Sequence, residues 1–173
     1  LFARGHYFKE YDFHLQAVEA YQEGLSQDRT QHRFWFEIGK NFLCAARLQR
    51  DPELFDRSIY FLNRATTLYP CSEYYFVFAK AMSESAEFEQ SDTMYEYACT
   101  LFEKTIEMQN NSNQLNSEYL FAYAKTLDAL AELSQEDELY VKSLEILKRI
   151  AVLDPDFNKI HYQLAVVYSH VAE

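Results

Sequence analysis

Glycine and proline are scarce in this chain, with three of each among 173 residues. Tight turns depend on these two residue types, so a sheet of many strands joined by hairpins fits the composition poorly. Long helices with short connections fit it better. With 49% hydrophobic and 25% charged residues, the chain can bury a core and is too apolar to be disordered. The composition therefore predicts an all-α globular protein.

Basic residues are also few, with 16 Lys and Arg against 27 Asp and Glu, which gives a formal net charge of −11 at pH 7. Such a chain repels phosphate backbones and anionic lipids, so we expect no nucleic-acid partner and no membrane partner. No apolar run approaches the length that spans a bilayer, and no basic segment followed by an apolar stretch opens the chain.

The three cysteines, Cys44, Cys71 and Cys99, are odd in number and widely separated. This pattern is unlike a disulfide framework and is typical of reduced thiols in a cytoplasmic protein. We interpret the three side chains as small buried hydrophobes and expect a cytoplasmic location.

Catalytic and metal-binding motifs are missing from the sequence. The histidines show no metal-ligand spacing with cysteines or acids, no glycine-rich phosphate loop is present, and no nucleophile stands in a recognisable catalytic context. We therefore expect no enzymatic activity, no metal and no cofactor. His161 and His170 are interpreted as packing and groove residues.

Four segments of the sequence are similar to one another, at residues 34–42, 74–82, 119–127 and 160–168. Three columns recur in them: a tiny residue, an aromatic residue and a lysine. The tiny column holds Gly39, Ala79, Ala124 and Ala165, the aromatic column Phe36, Phe76, Phe121 and Tyr162, and the lysine column Lys40, Lys80 and Lys125. Repeating units that cannot bury their own apolar face must stack, so this self-similarity predicts a helical array.

Start and stop signals divide the array into units. Asp12 is predicted to cap the second helix of a first hairpin, and Asp51-Pro52, Ser91-Asp92 and a capping box at residues 134–137 begin later helices. Pro70 and Pro155 end two helices, and the polar residues 110–117 predict a longer loop. We predict one domain over 1–173, with units at about 1–29, 31–70, 72–110 and 117–155 and a final helix over 157–172.

The spacing between tiny and small residues is twelve in the first unit and nineteen in the next three, for example from Gly39 to Ser58. Seven residues make almost two helical turns, so this extension lengthens each helix of a hairpin without rotating its apolar face. The longer helices therefore still turn their apolar faces toward the neighbouring helices.

These residues resemble the tetratricopeptide repeat, a helix-turn-helix unit of 34 residues. The first helix is matched by Trp35, Ile38, Gly39 and Phe42, and the second by Ser58, Leu62, Ala65 and Pro70. The resemblance covers nearly the whole chain, although three units carry the extension and Asn110 stands where proline is usual. It implies a right-handed superhelical solenoid of antiparallel helix pairs, with about four helical hairpins and a C-terminal capping helix.

In this family the first helix of each unit lines a concave groove that binds partner peptides. The resemblance implies that one face of these helices carries exposed aromatic residues beside a ladder of cations. The predicted groove residues are Phe2, His6, Phe36, Lys40, Phe76, Lys80, Phe121, Lys125 and Tyr162. Such a surface suits an extended peptide with alternating acidic and apolar side chains. The alternative is a solvated face on which Lys40 pairs with Glu37, Lys80 with Glu84 and Lys125 with Asp128.

Three functions fit the repeat pattern. The leading prediction is a protein–protein interaction module, acting as an adaptor, assembly factor or chaperone. The alternatives are a structural subunit or oligomerisation scaffold, in which the aromatics are permanently covered, and a regulator that senses a peptide.

Overall fold

Within residues 2–112 and 115–171, which the computed structural model describes, the chain forms eight α-helices and no strand, and side chains are described from Lys9 onward. The helices are α1 Phe2–Gln27, α2 His32–Gln49, α3 Pro52–Leu68, α4 Ser72–Glu89, α5 Asp92–Ser112, α6 Ser117–Ser134, α7 Asp137–Leu153 and α8 Ile160–Val171. The all-α prediction is confirmed. None of the described helices combines the length and the apolar character needed to cross a membrane.

Local capping signals place several helix boundaries. The side chain of Asp51 accepts a hydrogen bond from the backbone N–H of Glu53, and Pro52 is the first residue of α3, as predicted. Asn116 caps α6 in the same way, directly before residue 117, where the predicted unit begins. The helices before Pro70 and Pro155 end at Leu68 and Leu153, because a proline cannot continue them.

Three boundary predictions are wrong. α1 runs without a break through Asp12, so residues 1–29 are not a hairpin; aspartate inside a helix costs only about 0.7 kcal/mol or less, and no glycine or proline near it forces a turn. α5 continues to Ser112, so the loop predicted at 110–117 is shorter. The capping box at 134–137 does not form, because Ser134 is the last residue of α6 and its hydroxyl has no hydrogen-bond partner, and the N-cap of α7 is Glu136 instead.

The described helices form two compact units, Leu1–Ala81 and Met82–Glu173, with the division inside α4. In the first unit α1 packs on α2 and α2 on α3. Gly39 lies at the crossing of α2 and α3, where an added Cβ would lie 2.6 Å from Cγ of Leu62. The hydroxyl of Ser58 donates to the carbonyl oxygen of Gly39 at 2.8 Å. A tiny residue is therefore required at position 39 by the close approach of the two helices.

In the second unit α6 packs on α5 and α7, and α8 packs on α7 and contacts α6. The hydroxyl of Ser143 donates to the carbonyl oxygen of Ala124 at 3.1 Å, across the same spacing of nineteen residues as Ser58 and Gly39. The buried core includes Leu120, Ala124, Leu147, Ile150, Ile160 and Val167. The predicted spacing is thus realised as one hydrogen bond in each unit, between the two helices that cross at the tiny residue.

The last helix, α8, buries Ile160, Gln163 and Val167. It packs against the preceding helix α7, as its predicted capping role requires. Ala165 is exposed although it belongs to the tiny column. The tiny position is buried at Gly39 and Ala124, where a following helix crosses, and no described helix covers it at Ala165.

Candidate functional site

Phe36 was predicted to be an exposed groove residue, and this prediction is wrong. Its side chain is only 3% exposed. It stacks on Tyr74 of α4, with ring centroids 4.1 Å apart and an interplanar angle of 12°. Nδ1 of His32 lies 2.9 Å from the hydroxyl of Tyr74, and the His32 ring stacks on that of Tyr69. Phe36 therefore belongs to the core of the first unit.

The other members of the aromatic column differ from one another. Phe76 is half-buried, and Phe121 is half-buried with its ring 5.4 Å from that of Phe157. Tyr162 is 78% exposed. The side chains of Phe2 and His6 lie outside the described part of the chain. The side chains of the aromatic column thus range from buried to exposed, and they do not form a uniform row of exposed rings.

The lysine column repeats one geometry. Nζ of Lys40 lies 5.6 Å from the centroid of the Phe36 ring, and Nζ of Lys80 lies 5.6 Å from that of Phe76. Lys40 also pairs with Glu37 at 3.0 Å, which is the contact that the solvated-face alternative predicts. Lys125 is exposed. That the three ammonium groups project into one concavity stays a prediction.

The two units differ in which of two neighbouring residues is buried: the aromatic-column residue, Phe36 or Phe121, or the residue just before it, Trp35 or Leu120. In the second unit Leu120 is buried and Phe121, which was predicted to be exposed, is half-buried, whereas in the first unit Trp35 is half-buried and Phe36 is buried. Trp35 has an indole N–H that needs an acceptor, and it donates to the carbonyl oxygen of Arg29 at 3.0 Å. This bond holds the ring at the surface.

Trp35 forms a wall of a cavity of about 710 Å³ between α1 and α3 of the first unit. Two more rings of α3 contact it: the ring centroid of Phe61 lies 5.5 Å from that of Trp35, and the centroid of Tyr60 lies 6.4 Å away. Tyr60 is 62% exposed. The cavity therefore has flat aromatic walls that remain open to solvent.

The charge of this cavity is opposite to that of the whole chain. Its ten lining residues include Arg29 and Arg64 and no carboxylate. The guanidinium of Arg64 lies 5.8 Å from the centroid of the Trp35 ring. Across the described residues, neither arginine forms an ion pair. The cavity thus combines aromatic walls with two positive charges that no acid neutralises.

A corresponding cavity of about 480 Å³ lies between α5 and α7 of the second unit. Seven of the ten lining positions of the first cavity have counterparts two repeats later in the sequence, 85 residues on, that line the second cavity. These counterparts are Glu107, Asn110, Asn111, Leu120, Glu145, Ile146 and Arg149. The two cavities therefore occupy the same position in the repeat.

Acidic residues make the second cavity chemically different. Glu103, Glu107 and Glu145 line it. Glu103 accepts hydrogen bonds from Nζ of Lys142 and from the hydroxyl of Tyr123, both at 2.7 Å. The hydrogen bond from Lys142 in particular keeps the pKa of Glu103 below its usual value. The two cations of this cavity are therefore bonded within the protein, Lys142 to Glu103 and Arg149 to Asn110.

A buried acid lies elsewhere in the second unit. Asp128 is 8% exposed, and one of its carboxylate oxygens accepts a hydrogen bond from Nε2 of Gln163 on α8. The other oxygen, Oδ1, is buried and has no hydrogen-bond partner, and the hydroxyl of Ser143 donates to the carbonyl oxygen of Ala124. Burial raises the pKa of Asp128. The hydrogen bond between Gln163 and Asp128 joins α8, the final described helix, to α6.

The described residues contain no group of three or more His, Cys, Asp and Glu placed to hold a metal ion. The three cysteines are free thiols: Cys99 is buried, and Cys44 and Cys71 are half-buried. Burial raises the pKa of Cys99 to about 12, so its thiol stays protonated at neutral pH. Cys99 therefore behaves as a small buried hydrophobe.

No model of a known protein family matches this sequence, and no curated protein is significantly similar to it. The resemblance to the tetratricopeptide repeat therefore rests on the repeated residues.

Sequence reasoning missed the cavity between α1 and α3 and the contact between Asp128 and Gln163. A signal for the cavity was present, because Arg64 and Arg149 stand at the same position of two repeats. The contact between Asp128 and Gln163 left no such signal, because the two residues stand 35 positions apart and the first unit has Leu43 at the position of Asp128.

Proposed function

We propose that this protein is a protein–protein interaction module, built as a right-handed solenoid of antiparallel helix pairs, that binds an extended segment of a partner. The observation that carries the proposal is the repeated placement of a lysine over the ring of the aromatic residue four positions earlier, at Phe36 and Lys40 and again at Phe76 and Lys80. Cations beside aromatic faces suit acidic and apolar side chains that alternate along a peptide.

Because Phe36 is buried, it is not among the residues that we propose contact the ligand in the first unit. Phe76 supplies the accessible aromatic surface, and Lys40 and Lys80 supply the charge. The ion pair of Lys40 with Glu37 does not prevent this, because exposed pairs contribute only about 0–1 kcal/mol and an incoming carboxylate can replace Glu37. In a chain with a net charge of −11, lysines at repeated positions make a local site for an acidic ligand.

A fluorescein-labelled peptide that alternates Glu and Leu over about ten residues tests this proposal by fluorescence anisotropy. We expect Lys80→Glu to weaken binding about tenfold and added salt to weaken it further. Lys9→Glu is the matched control, since Lys9 is exposed on α1 and outside the lysine column. Equal affinities for the two variants, or equal binding of a Lys–Leu peptide, would contradict the proposal.

A second function, an oligomerisation scaffold, is favoured by the exposed apolar side chains near the C-terminal end. Val152 is 84% exposed, Tyr162 78% and Tyr168 50%. Exposed apolar residues of this size are commonly covered by another protein surface. Sedimentation of the wild type and of a Val152→Ser, Tyr162→Ser variant tests this function, which predicts a concentration-dependent dimer that the variant lacks.

A further inference from the structure

We propose that the cavity between α1 and α3 binds a flat apolar ring that carries an anionic group. This site goes beyond the proposed function, because it uses neither the lysine column nor the aromatic column. It is defined by Arg29, Trp35, Tyr60, Phe61 and Arg64, all in the first unit.

The walls of the cavity fit a planar apolar group. The hydrogen bond from Trp35 to the carbonyl oxygen of Arg29 fixes the indole, and the ring of Phe61 packs against it at 5.5 Å. Tyr60 stands with its ring perpendicular to that of Phe61 and is largely exposed. Aromatic rings attract one another in stacked and edge-to-face arrangements, so a ligand ring gains contacts with three surfaces at once.

The charges of the cavity fit an anion. Arg64 lies over Trp35, and Arg29 stands at the turn that leads from α1 into α2. A guanidinium presents a planar fork of donors that matches a carboxylate or a phosphate. The lining residues offer no acid to occupy those donors, although acids outnumber bases in the chain. A ligand with an anionic group attached to its ring would meet both arginines and the aromatic walls.

The second unit provides an internal control for this argument. Arg149 occupies the position of Arg64, but it donates to the side chain of Asn110 at 3.2 Å. Glu145 stands at the position of Tyr60, and Glu107 at the position of Gln22. These acids repel an anion, and the second cavity has Leu120 and Glu145 in place of the rings of Trp35 and Tyr60. The chemistry that we assign to the first cavity therefore comes from its side chains and not from the helix arrangement.

The same ligand chemistry has two sources: a free small molecule, or an aromatic residue beside an acidic one in a protein segment. Trp35 is the single tryptophan of the chain, so its fluorescence reports directly on the cavity. Two probes separate the sources, 3-phenylpropionate for the free molecule and the peptide acetyl-Glu-Phe-Glu-amide for the segment. Neither probe absorbs where tryptophan alone is excited. The uncharged analogue 3-phenylpropanol tests the requirement for the anion.

We expect a saturable change in Trp35 fluorescence with at least one of the two anionic probes and a much weaker response to 3-phenylpropanol. Arg64→Glu should raise the probe concentration at half-saturation about tenfold or more, whereas Arg149→Glu, the matched variant of the second unit, should leave it unchanged. Lys80→Glu should also leave it unchanged, which separates this site from the proposed peptide site. A response to the peptide alone identifies a protein segment as the source, and a stronger response to 3-phenylpropionate identifies a small molecule.

Circular dichroism establishes that each variant is folded. If Arg64→Glu unfolds, Tyr60→Ser replaces it, because Tyr60 is largely exposed and its loss removes one wall of the cavity without removing core. The proposal is overturned by the absence of a saturable response to both anionic probes, by an equal response to 3-phenylpropanol, or by folded Arg64→Glu and Tyr60→Ser variants that respond like the wild type.

Discussion

The cavity between α1 and α3 and the cavity between α5 and α7 occupy the same repeat position with opposite chemistry. In the first, Trp35, Tyr60 and Arg64 form an aromatic, positively charged surface. In the second, Glu145 and Arg149 stand where Tyr60 and Arg64 stand in the first. Helix packing sets the place of the cavity, because side chains at fixed spacing meet at the same point of each crossing. A few lining residues then decide what the cavity can bind.

A second contrast concerns the neighbouring positions that pack the first helix of each unit. Phe36 is buried and Trp35 is not, whereas Leu120 is buried and Phe121 is only half-buried. A leucine fits completely between helices, but an indole is larger and needs a partner for its N–H. Once Trp35 lies at the surface, Phe36 takes up the interior beside Tyr74. The following predictions test these contrasts, from the largest effect to the smallest.

Phe36→Ala should lower the free energy of unfolding by about 3–5 kcal/mol, because it removes a buried ring and leaves a cavity beside Tyr74. Phe121→Ala is the matched change in the second unit, and it should cost about half as much or less, since Phe121 is half-buried. Urea denaturation followed by circular dichroism measures both. Equal losses would show that the two units pack this column alike.

Gly39→Ala should destabilise the protein by about 2 kcal/mol, although alanine favours a helix by about 1 kcal/mol over glycine. The added methyl group would lie 2.6 Å from Cγ of Leu62, so one of the helices must shift. The second unit already carries alanine at the equivalent position, Ala124. The double variant Gly39→Ala, Leu62→Val should recover part of the loss relative to Leu62→Val alone, and strictly additive losses in thermal melts would contradict the clash.

Asp128→Asn should raise the free energy of unfolding at pH 7 by about 1 kcal/mol, because it removes a buried charge while keeping an acceptor for Gln163. At the position that corresponds to Asp128, the first unit has a leucine, Leu43.

The sign of the pH dependence follows from the raised pKa of Asp128 in the folded protein. As the pH rises above about 3.9, the unfolded chain loses this proton first, so the contribution of Asp128 to stability falls until the folded pKa is passed. The stability of Asp128→Asn, measured in urea between pH 4 and pH 8, should therefore decline less with rising pH than that of the wild type. Parallel profiles would contradict the assignment.

Lys142→Met should change the free energy of unfolding by less than about 1 kcal/mol. Its ion pair with Glu103 is about half exposed on both sides, at 47% and 51%, and water screens it. The pair therefore sets the charge of the second cavity more than it stabilises the fold. A loss well above this value, insensitive to added salt, would show that the pair is part of the core.

The sequence alone determined the helical class, the starts of α3 and α6 to within a residue, and the small residues at the helix crossings. These features depend on neighbours within a few positions or on a repeated spacing, as at Asp51-Pro52 and at Gly39 and Ser58, and such signals are visible in one dimension. The continuity of α1 through Asp12 shows the limit of local signals, because a residue that often caps helices is also tolerated inside them.

Only the tertiary structure decided which aromatic residue is buried and where the unpaired charges lie. Phe36 is covered by Tyr74, Asp128 is bonded to Gln163, and Arg64 meets Trp35 across two helices. Each of these contacts joins residues far apart in the sequence, and its strength depends on how closely two helices approach and how much water they exclude. Periodicity identifies the face on which a side chain stands, but the burial of that face depends on the size and the polar groups of the residues that pack against it.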